Sequence, residues 1–200
     1  MKKMTLLWAV IVCFMTNLSA QDFEGIIEMV QITPTGIEYN MKWYIKDKKI
    51  AYELSFENGR GMYQIRFVPK KSTNSMLMVT ADTKTEIPIS EIKQPEGFSL
   101  EGAKIVDRGE SKSSSFKDVN NWELTTQEIT SSLEVTTDID INFTDYKEFF
   151  KNDYGLCALI KSGQPGFLLN STTLDNDGKL ITKTSLKKVT RTDVADSFFK

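Results

Sequence analysis

The chain has 200 residues, 40% of them hydrophobic and 10% aromatic, and its 25 basic and 27 acidic side chains leave a net charge of −2. It contains two cysteines and no histidine, which excludes histidine-based acid–base catalysis, histidine-activated nucleophiles and histidine-ligated zinc. The apolar content is sufficient for a packed core, and because no basic block stands out, nucleic acid is not expected as a partner.

The first residues have the layout of an export signal. Two lysines precede an apolar run over 6–15, and small residues lead up to Ala20. That run is too short to cross a bilayer comfortably. We therefore predict a signal peptide over 1–20 with cleavage after Ala20.

The mature chain is then a single domain over 21–200, periplasmic or secreted, that does not span the membrane after signal cleavage. It retains one cysteine, Cys157, which cannot form an internal disulfide. Because Cys157 lies in an apolar stretch, a buried and unreactive thiol is expected.

Hydrophobic and polar side chains alternate through the first half of the mature chain, which is the pattern of half-buried β-strands. Turn-forming residues separate the alternating runs, and two further short strands are predicted at 76–79 and 85–89. Short links of this kind join neighbouring antiparallel strands, so this half is predicted to be a meander. The longer alternating runs are 23–29, 37–45, 50–56 and 63–67.

The pattern weakens over 92–121, which we interpret as an irregular connection around one strand near 104–107. Strands resume from Trp122 and continue through the alternation that ends at Ile141. Near the end of the chain, two strands over 167–174 and 179–190 flank an Asn-Asp-Gly turn, which is a strong hairpin signal.

One short helix is expected between these strands. Tyr146, Phe149 and Phe150 fall at helical spacing. Asn142 is the predicted N-cap and Gly155 the predicted end of this helix. The sequence thus predicts a mainly β protein of eight to eleven strands, with one short helix.

Catalytic and metal-binding patterns occur only at the level expected by chance. Ser-x-x-Lys spacings do not open a convincing helix, and no companion motif accompanies them. Asp138, Asp140 and Asn142 share one face of a predicted strand, where the solvated side of the strand explains them better than a cation does. We therefore expect no catalytic residue, no metal and no cofactor, and a protein that is not an enzyme.

The remaining feature is the aromatic and methionine content of one sheet face. Two interpretations stand: an ordinary core, or a curved sheet whose concave face holds an apolar ligand. A single short helix offers little mass to cover so wide an apolar face. The candidate ligand-lining residues are Tyr39, Met41, Trp43, Tyr52, Phe56 and Tyr63.

Several short motifs resemble secreted Bacteroidetes proteins of a domain-of-unknown-function family. They are the start QDFEGII at 21–27, the strand pair WYIKDKKI at 43–50, and the tail DVADSFF at 193–199. Such proteins are similar in architecture to the LolA/LolB lipoprotein carriers, in which an incomplete antiparallel barrel shelters acyl chains. The resemblance implies a half-barrel with its helix against the concave face, and it suggests apolar-ligand binding.

The leading hypothesis is an exported, non-enzymatic protein that binds a lipid, a lipoprotein acyl chain or another apolar ligand. The alternative is a cell-envelope protein-interaction or sensing module whose sheet is filled by its own side chains. An open cavity on the concave face would favour the first hypothesis, and a filled interior would favour the second.

Overall fold

The computed structural model describes residues 23–59, 61–93, 100–112, 116–151 and 153–200, so the predicted signal peptide lies outside the described residues. Within them, eleven strands form one antiparallel, curved and open sheet. The strands are β1 (Gly25–Ile32), β2 (Glu38–Lys46), β3 (Lys49–Asn58), β4 (Gly61–Lys70), β5 (Ser75–Val79), β6 (Lys84–Pro88), β7 (Lys104–Glu110), β8 (Val119–Thr125), β9 (Ile129–Thr136), β10 (Phe167–Asp175) and β11 (Leu180–Arg191).

The sheet consists of two meanders that meet at their first and last strands. Its strand order is β6-β5-β4-β3-β2-β1-β11-β10-β9-β8-β7, so β1 pairs with β11 and the edge strands are β6 and β7. The predicted meander of the first half is confirmed, as are the two strands around the Asn-Asp-Gly turn. The mainly β fold predicted from the alternation is confirmed as well, and so is the curved, open sheet that the resemblance implied.

The helix lies later in the chain than its predicted position. The structure has a 3₁₀ turn at Phe143–Tyr146 and a single described α-helix, α1, at Tyr154–Ser162. Asn142 does cap the first turn, because its side chain accepts a hydrogen bond from the backbone N–H of Thr144. The prediction that Gly155 ends the helix is wrong.

Local hydrogen bonds explain this difference. The backbone N–H groups of Phe149 and Asp153 donate to carbonyls three residues earlier, so tight turns replace a regular helix. α1 begins only where the Asp153 side chain accepts from the N–H of Leu156, and it ends at Gly163, whose φ of 68° is left-handed. Gly155 lies in the first turn of α1 and packs against β10.

Residues 139–151 and 153–162, which we call the inner segment, cover part of the concave face, and they include α1. Their apolar side chains join the main hydrophobic core together with the inward-facing residues of the sheet. The buried members from the inner segment are Ile139, Ile141, Phe143, Tyr146, Phe149, Phe150, Leu156, Ala158 and Leu159.

A smaller apolar cluster lies on the opposite face of β2–β4, beneath the C-terminal residues. The ring of Phe198 stacks on that of Tyr44 with centroids 4.2 Å apart, and Val194 is buried beside them. Lys46 Nζ donates to Asp193 Oδ1 at 2.9 Å, which fixes the start of this C-terminal segment. The chain thus covers the outer face of these strands at the end where β2 meets β3.

Candidate functional site

The concave face of β2–β4 is densely packed where the inner segment crosses it. Trp43, on β2, is only 2% exposed. Its ring contacts four other aromatic rings at centroid distances of 5.0 to 5.9 Å, those of Tyr52, Phe143, Phe150 and Phe167. Because rings at such distances interlock as in other protein cores, this half of the concave face is filled by the chain itself.

The same strands carry a row of aromatic side chains beyond the inner segment. The Tyr39 and Phe56 rings are 5.3 Å apart, and the Phe56 and Tyr63 rings stack at 5.6 Å. Phe56 and Tyr63 face each other across the β3–β4 ladder, which explains their contact. Tyr63 is 40% exposed, and the other two are half-buried. We call these three residues the aromatic shelf.

A cavity of about 100 Å³ lies between the shelf and the filled half. Leu54 on its wall is two residues from Phe56 of the shelf, or about 7 Å along the strand, and Gln31 on its wall pairs directly with Tyr39. The shelf therefore leads into the cavity. Its lining residues are Gln31, Met41, Trp43, Tyr52, Leu54, Phe150, Asp153 and Leu156.

A narrower space of about 10 Å³ adjoins the same residues on the side of β1 and β10. It shares Met41, Trp43, Asp153 and Leu156 with the larger cavity. Clefts of about 310, 400 and 450 Å³ lie elsewhere on the described surface, and most of their lining residues are polar or charged by type. Most of the residues around the two spaces beside Trp43 are apolar by type, and these spaces contain three of the six residues that the sequence predicted as ligand-lining.

The polar side chains on the cavity wall include Gln31, Tyr52 and Asp153. Asp153 Oδ1 accepts from the backbone N–H of Leu156 at 2.8 Å, and burial raises the pKa of this carboxyl above 3.8. Burial and the neighbouring Asp153 also raise the pKa of Tyr52. The indole Nε1 of Trp43 has no hydrogen-bond partner among the described residues.

The structure brings all six predicted lining residues to one face, in two groups. Met41, Trp43 and Tyr52 line the cavity, and Tyr39, Phe56 and Tyr63 form the shelf. That they contact a ligand stays a prediction. Five further residues line the cavity and were not predicted from the sequence: Gln31, Leu54, Phe150, Asp153 and Leu156.

For two of those five residues, the strand pattern of the sequence could have predicted an inward-facing side chain. Leu54 continues the alternation of β3, and Gln31 occupies an inward position of β1. Asp153 is recognisable only after α1 is placed correctly, because it is then the N-cap of an apolar helix.

The acidic residues that follow β9 have structural partners. The predicted strand ends at Thr136, so Asp138, Asp140 and Asn142 do not share a strand face, which corrects that expectation. Asp138 accepts from the backbone N–H of Lys117 at 2.7 Å, and Asp140 pairs with Lys48 at 2.8 Å. Across the described residues, no three acidic or cysteine side chains come close enough together to hold a metal ion.

Cys157 lies on α1 and is buried, as predicted. Its Sγ–H donates to the carbonyl of Phe150 at 3.1 Å. Burial, with Asp153 nearby, raises the pKa of this thiol to about 12. Since the thiolate is the reactive form, this cysteine is not suited to be a nucleophile.

Residues 23–200 match the family described as Domain of unknown function (DUF4412), and the chain belongs to this family. The match takes in every strand described above, and it confirms the predicted membership of a domain-of-unknown-function family. A comparison with curated proteins finds no match. No helix in the described part of the chain is long and apolar enough to cross a membrane.

Solved structures with similar folds include an uncharacterized conserved protein from Thermus thermophilus, at 10% identity and a TM-score of 0.48, covering 89% of this chain and 84% of its own. MucB aligns at 12% identity and a TM-score of 0.47, over 96% of this chain and 62% of MucB. A putative outer membrane lipoprotein-sorting protein domain from Vibrio parahaemolyticus aligns at 8% identity and a TM-score of 0.38, over 90% of each chain.

Proposed function

We propose that this member of the DUF4412 family is an exported, non-enzymatic binding protein that holds an acyl chain or a similar apolar ligand on its concave face. One observation carries the proposal: the described residues leave the aromatic shelf uncovered, and the shelf leads directly into the cavity beside Trp43. An apolar wall with a few convergent polar groups is typical of small-molecule sites.

The dimensions indicate how such a ligand would lie. The cavity holds about 100 Å³, whereas sites that enclose a drug-sized ligand usually measure about 300–1,000 Å³. A long chain would therefore place one end in the cavity and rest the remainder on the shelf. Met41, at the junction, suits this role because an unbranched thioether side chain adapts to irregular shapes.

The export part of the proposal rests on the sequence of the first twenty residues, with their charged start, apolar run and small residues up to Ala20. An exported protein meets lipids and lipoproteins in the cell envelope. The non-enzymatic part rests on the absence of histidine and on the structural roles of Asp138, Asp140 and Cys157.

The first test is native mass spectrometry and lipid extraction of the purified mature protein, together with titration of the fluorescent apolar probe N-phenyl-1-naphthylamine. We expect a co-purified lipid or saturable probe binding. Trp43→Ala, which removes the indole ring from the cavity wall, should reduce probe binding. A protein without extracted lipid, and with probe fluorescence unchanged in Trp43→Ala, would overturn the proposal.

A matched pair of variants localises the binding to the shelf. Tyr63 lies on the concave side of β4, whereas Met62, its neighbour, is 66% exposed and lies on the opposite side of the strand. Tyr63→Asp places a charge on the shelf and should weaken probe binding about tenfold or more, since an uncompensated charge beside an apolar ligand is costly. Met62→Asp adds the same charge and should leave binding unchanged.

The filled half of the face favours a second function, a cell-envelope protein-interaction module. Phe143, Phe150 and Phe167 occupy the space around Trp43 that a ligand would otherwise fill. Cross-linking in the envelope distinguishes the two functions. A stoichiometric protein partner that is lost in Tyr63→Asp, with no extractable lipid, would favour the interaction module.

A further inference from the structure

We propose that the cavity beside Trp43 recognises a terminal primary ammonium group, carried on an unbranched alkyl chain, through the carboxylate of Asp153. This inference rests on the proposed function, because it names the polar group that a ligand of the cavity and the shelf would carry. It is carried by the charge on the described cavity wall, by the acceptor groups beside that charge and by the size of the cavity.

Asp153 supplies the charge. It lines both the 100 Å³ cavity and the 10 Å³ space beside it, and none of the described lining residues of these spaces is Lys or Arg. An ionised carboxylate among apolar side chains is costly unless a cation pairs with it. Asp153 is half-buried and not sealed from solvent, so a ligand in the cavity can reach it. A cationic head group would supply the pairing charge that the cavity wall lacks.

Two further acceptor groups lie beside this carboxylate on the same wall. The Gln31 side chain is close enough to hydrogen-bond to Asp153, which opposes the effect of burial on the pKa of the carboxyl. Burial, and then the nearby Asp153 charge, raise the pKa of the Tyr52 hydroxyl. A primary ammonium has three N–H donors and no acceptor. A carboxylate, an amide oxygen and a phenol oxygen therefore match it in number and in kind.

The position of Asp153 at the start of α1 does not cancel this preference. The backbone N–H groups of Gly155 and Leu156 bond to the carboxylate, the latter to Oδ1 at 2.8 Å. With Gln31, they leave about one of its roughly four acceptor sites for a ligand. A helix N-terminus carries roughly half a positive charge, against the full negative charge of the carboxylate. The cavity therefore attracts an ammonium group and repels a ligand carboxylate.

The size of the cavity suits a head group at the end of a chain. An ammonium nitrogen and the adjoining methylene are about two water-sized units, or roughly 60 Å³ at about 30 Å³ each, and the cavity holds about 100 Å³. Because the head group is terminal, nothing has to fit beyond it. The alkyl chain would leave past Leu54 toward Phe56 and Tyr39 on the shelf.

The test is calorimetric titration of the mature protein at pH 7 with octylammonium, 1-octanol and octanoate. The three compounds have alkyl chains of the same length, and at this pH their head groups are positive, neutral and negative. We expect octylammonium to bind about tenfold or more tightly than 1-octanol, and octanoate to bind most weakly.

Three variants locate the recognition. Asp153→Asn keeps the helix cap and removes the charge, and it should weaken octylammonium binding about tenfold while leaving 1-octanol unchanged. Asp145→Asn is the matched control, because Asp145 is an exposed residue of the inner segment outside the described cavity lining. It removes the same charge and should change neither affinity. Gln31→Met keeps the side-chain length without the amide, and it should weaken octylammonium binding about fivefold.

The outcomes distinguish this inference from the proposed function. If octylammonium binds no more tightly than 1-octanol, or equally well to Asp153→Asn, the inference is overturned and apolar binding is left intact. Failure of all three compounds and of the naphthylamine probe to bind would overturn both. If Asp153→Asn does not fold, Gln31→Met decides, because an unchanged preference for octylammonium over 1-octanol in that variant would also overturn the inference.

Discussion

In both halves of the concave face the strands alternate inward and outward side chains, but only one half is buried beneath the inner segment. Trp43 and Tyr39 are both inward-facing residues of β2, four positions apart. The first is buried under Phe143 and Phe150, and the second lies on the uncovered shelf. The inner segment, and not the sheet, therefore determines which part of the apolar face is available to a ligand.

Removing a large side chain from the filled half should have the largest effect on stability. Phe150 is 2% exposed and contacts the rings of Trp43 and Tyr52. We expect Phe150→Ala to lower the free energy of unfolding by about 3–5 kcal/mol, because it removes buried area and leaves a cavity. Urea unfolding measures this. The matched change on the shelf, Phe56→Ala, should cost clearly less, and equal losses would contradict the division of the face into two halves.

A methyl group added beneath α1 tests how closely the inner segment packs on the sheet. At Gly155 a Cβ would lie 2.6 Å from Ser171 Oγ and 2.9 Å from Leu168 Cδ2. Gly155→Ala should therefore destabilise the protein by about 1–3 kcal/mol in thermal unfolding, although alanine is the better helix former. Lys161→Ala, at an exposed position of the same helix, is the control and should have little effect. A more stable Gly155→Ala variant would show that α1 can move away from β10 without loss.

The pH dependence of stability tests the buried carboxyl between the two halves. Burial raises the pKa of Asp153 above 3.8, so the unfolded chain ionises first as the pH rises. The contribution of Asp153 to the free energy of unfolding therefore falls as the pH rises from 3.8 to the higher pKa of the folded state. Above that pKa the contribution no longer changes with pH.

The side-chain amide of the Asp153→Asn variant would not titrate, and it would still cap the helix. We therefore expect the stability of Asp153→Asn relative to the native chain to rise with pH across this window and then to level off. Urea unfolding at a series of pH values checks this. A relative stability that falls with pH would mean that the folded pKa is lowered instead.

Local patterns made much of the fold predictable. Two-residue periodicity located the strands, and the Asn-Asp-Gly turn located the hairpin of β10 and β11. The pairing of β1 with β11 joins residues near the two ends of the described chain, such as Gly25 and Arg191, and no local signal encodes it. The helix was misplaced because Tyr146, Phe149 and Phe150 have helical spacing but are buried from successive tight turns.

The site could be predicted only in part for a related reason. The alternation of apolar and polar residues identified both Met41 and Tyr63 as inward-facing, because each follows the pattern of its strand. It made no distinction between the two. It could not say that the inner segment would cover one end of the face and leave the other exposed. That outcome depends on tertiary contacts, such as the hydrogen bond from Tyr146 Oη to the carbonyl of Lys48 at 3.0 Å.

The smallest effect on stability should occur on the shelf, where the largest effect on binding is expected. Tyr63 is 40% exposed, and its main contact is the stacked ring of Phe56 at 5.6 Å. Tyr63→Ala should cost about 1 kcal/mol or less in thermal unfolding, the scale of one aromatic pair, and Met62→Ala should cost still less.

Adding 1-monododecanoylglycerol should then separate these two variants. A ligand that binds only the folded state stabilises it by RT ln(1 + L/Kd), where L is the free ligand concentration, so at one ligand concentration tighter binding gives a larger rise in the melting temperature. The melting temperatures of the native protein and of Met62→Ala should therefore rise more on adding the ligand than that of Tyr63→Ala does. If all three gained equally, the shelf would contribute nothing to binding, and the exposed aromatic row would be only the unfilled end of a structural core.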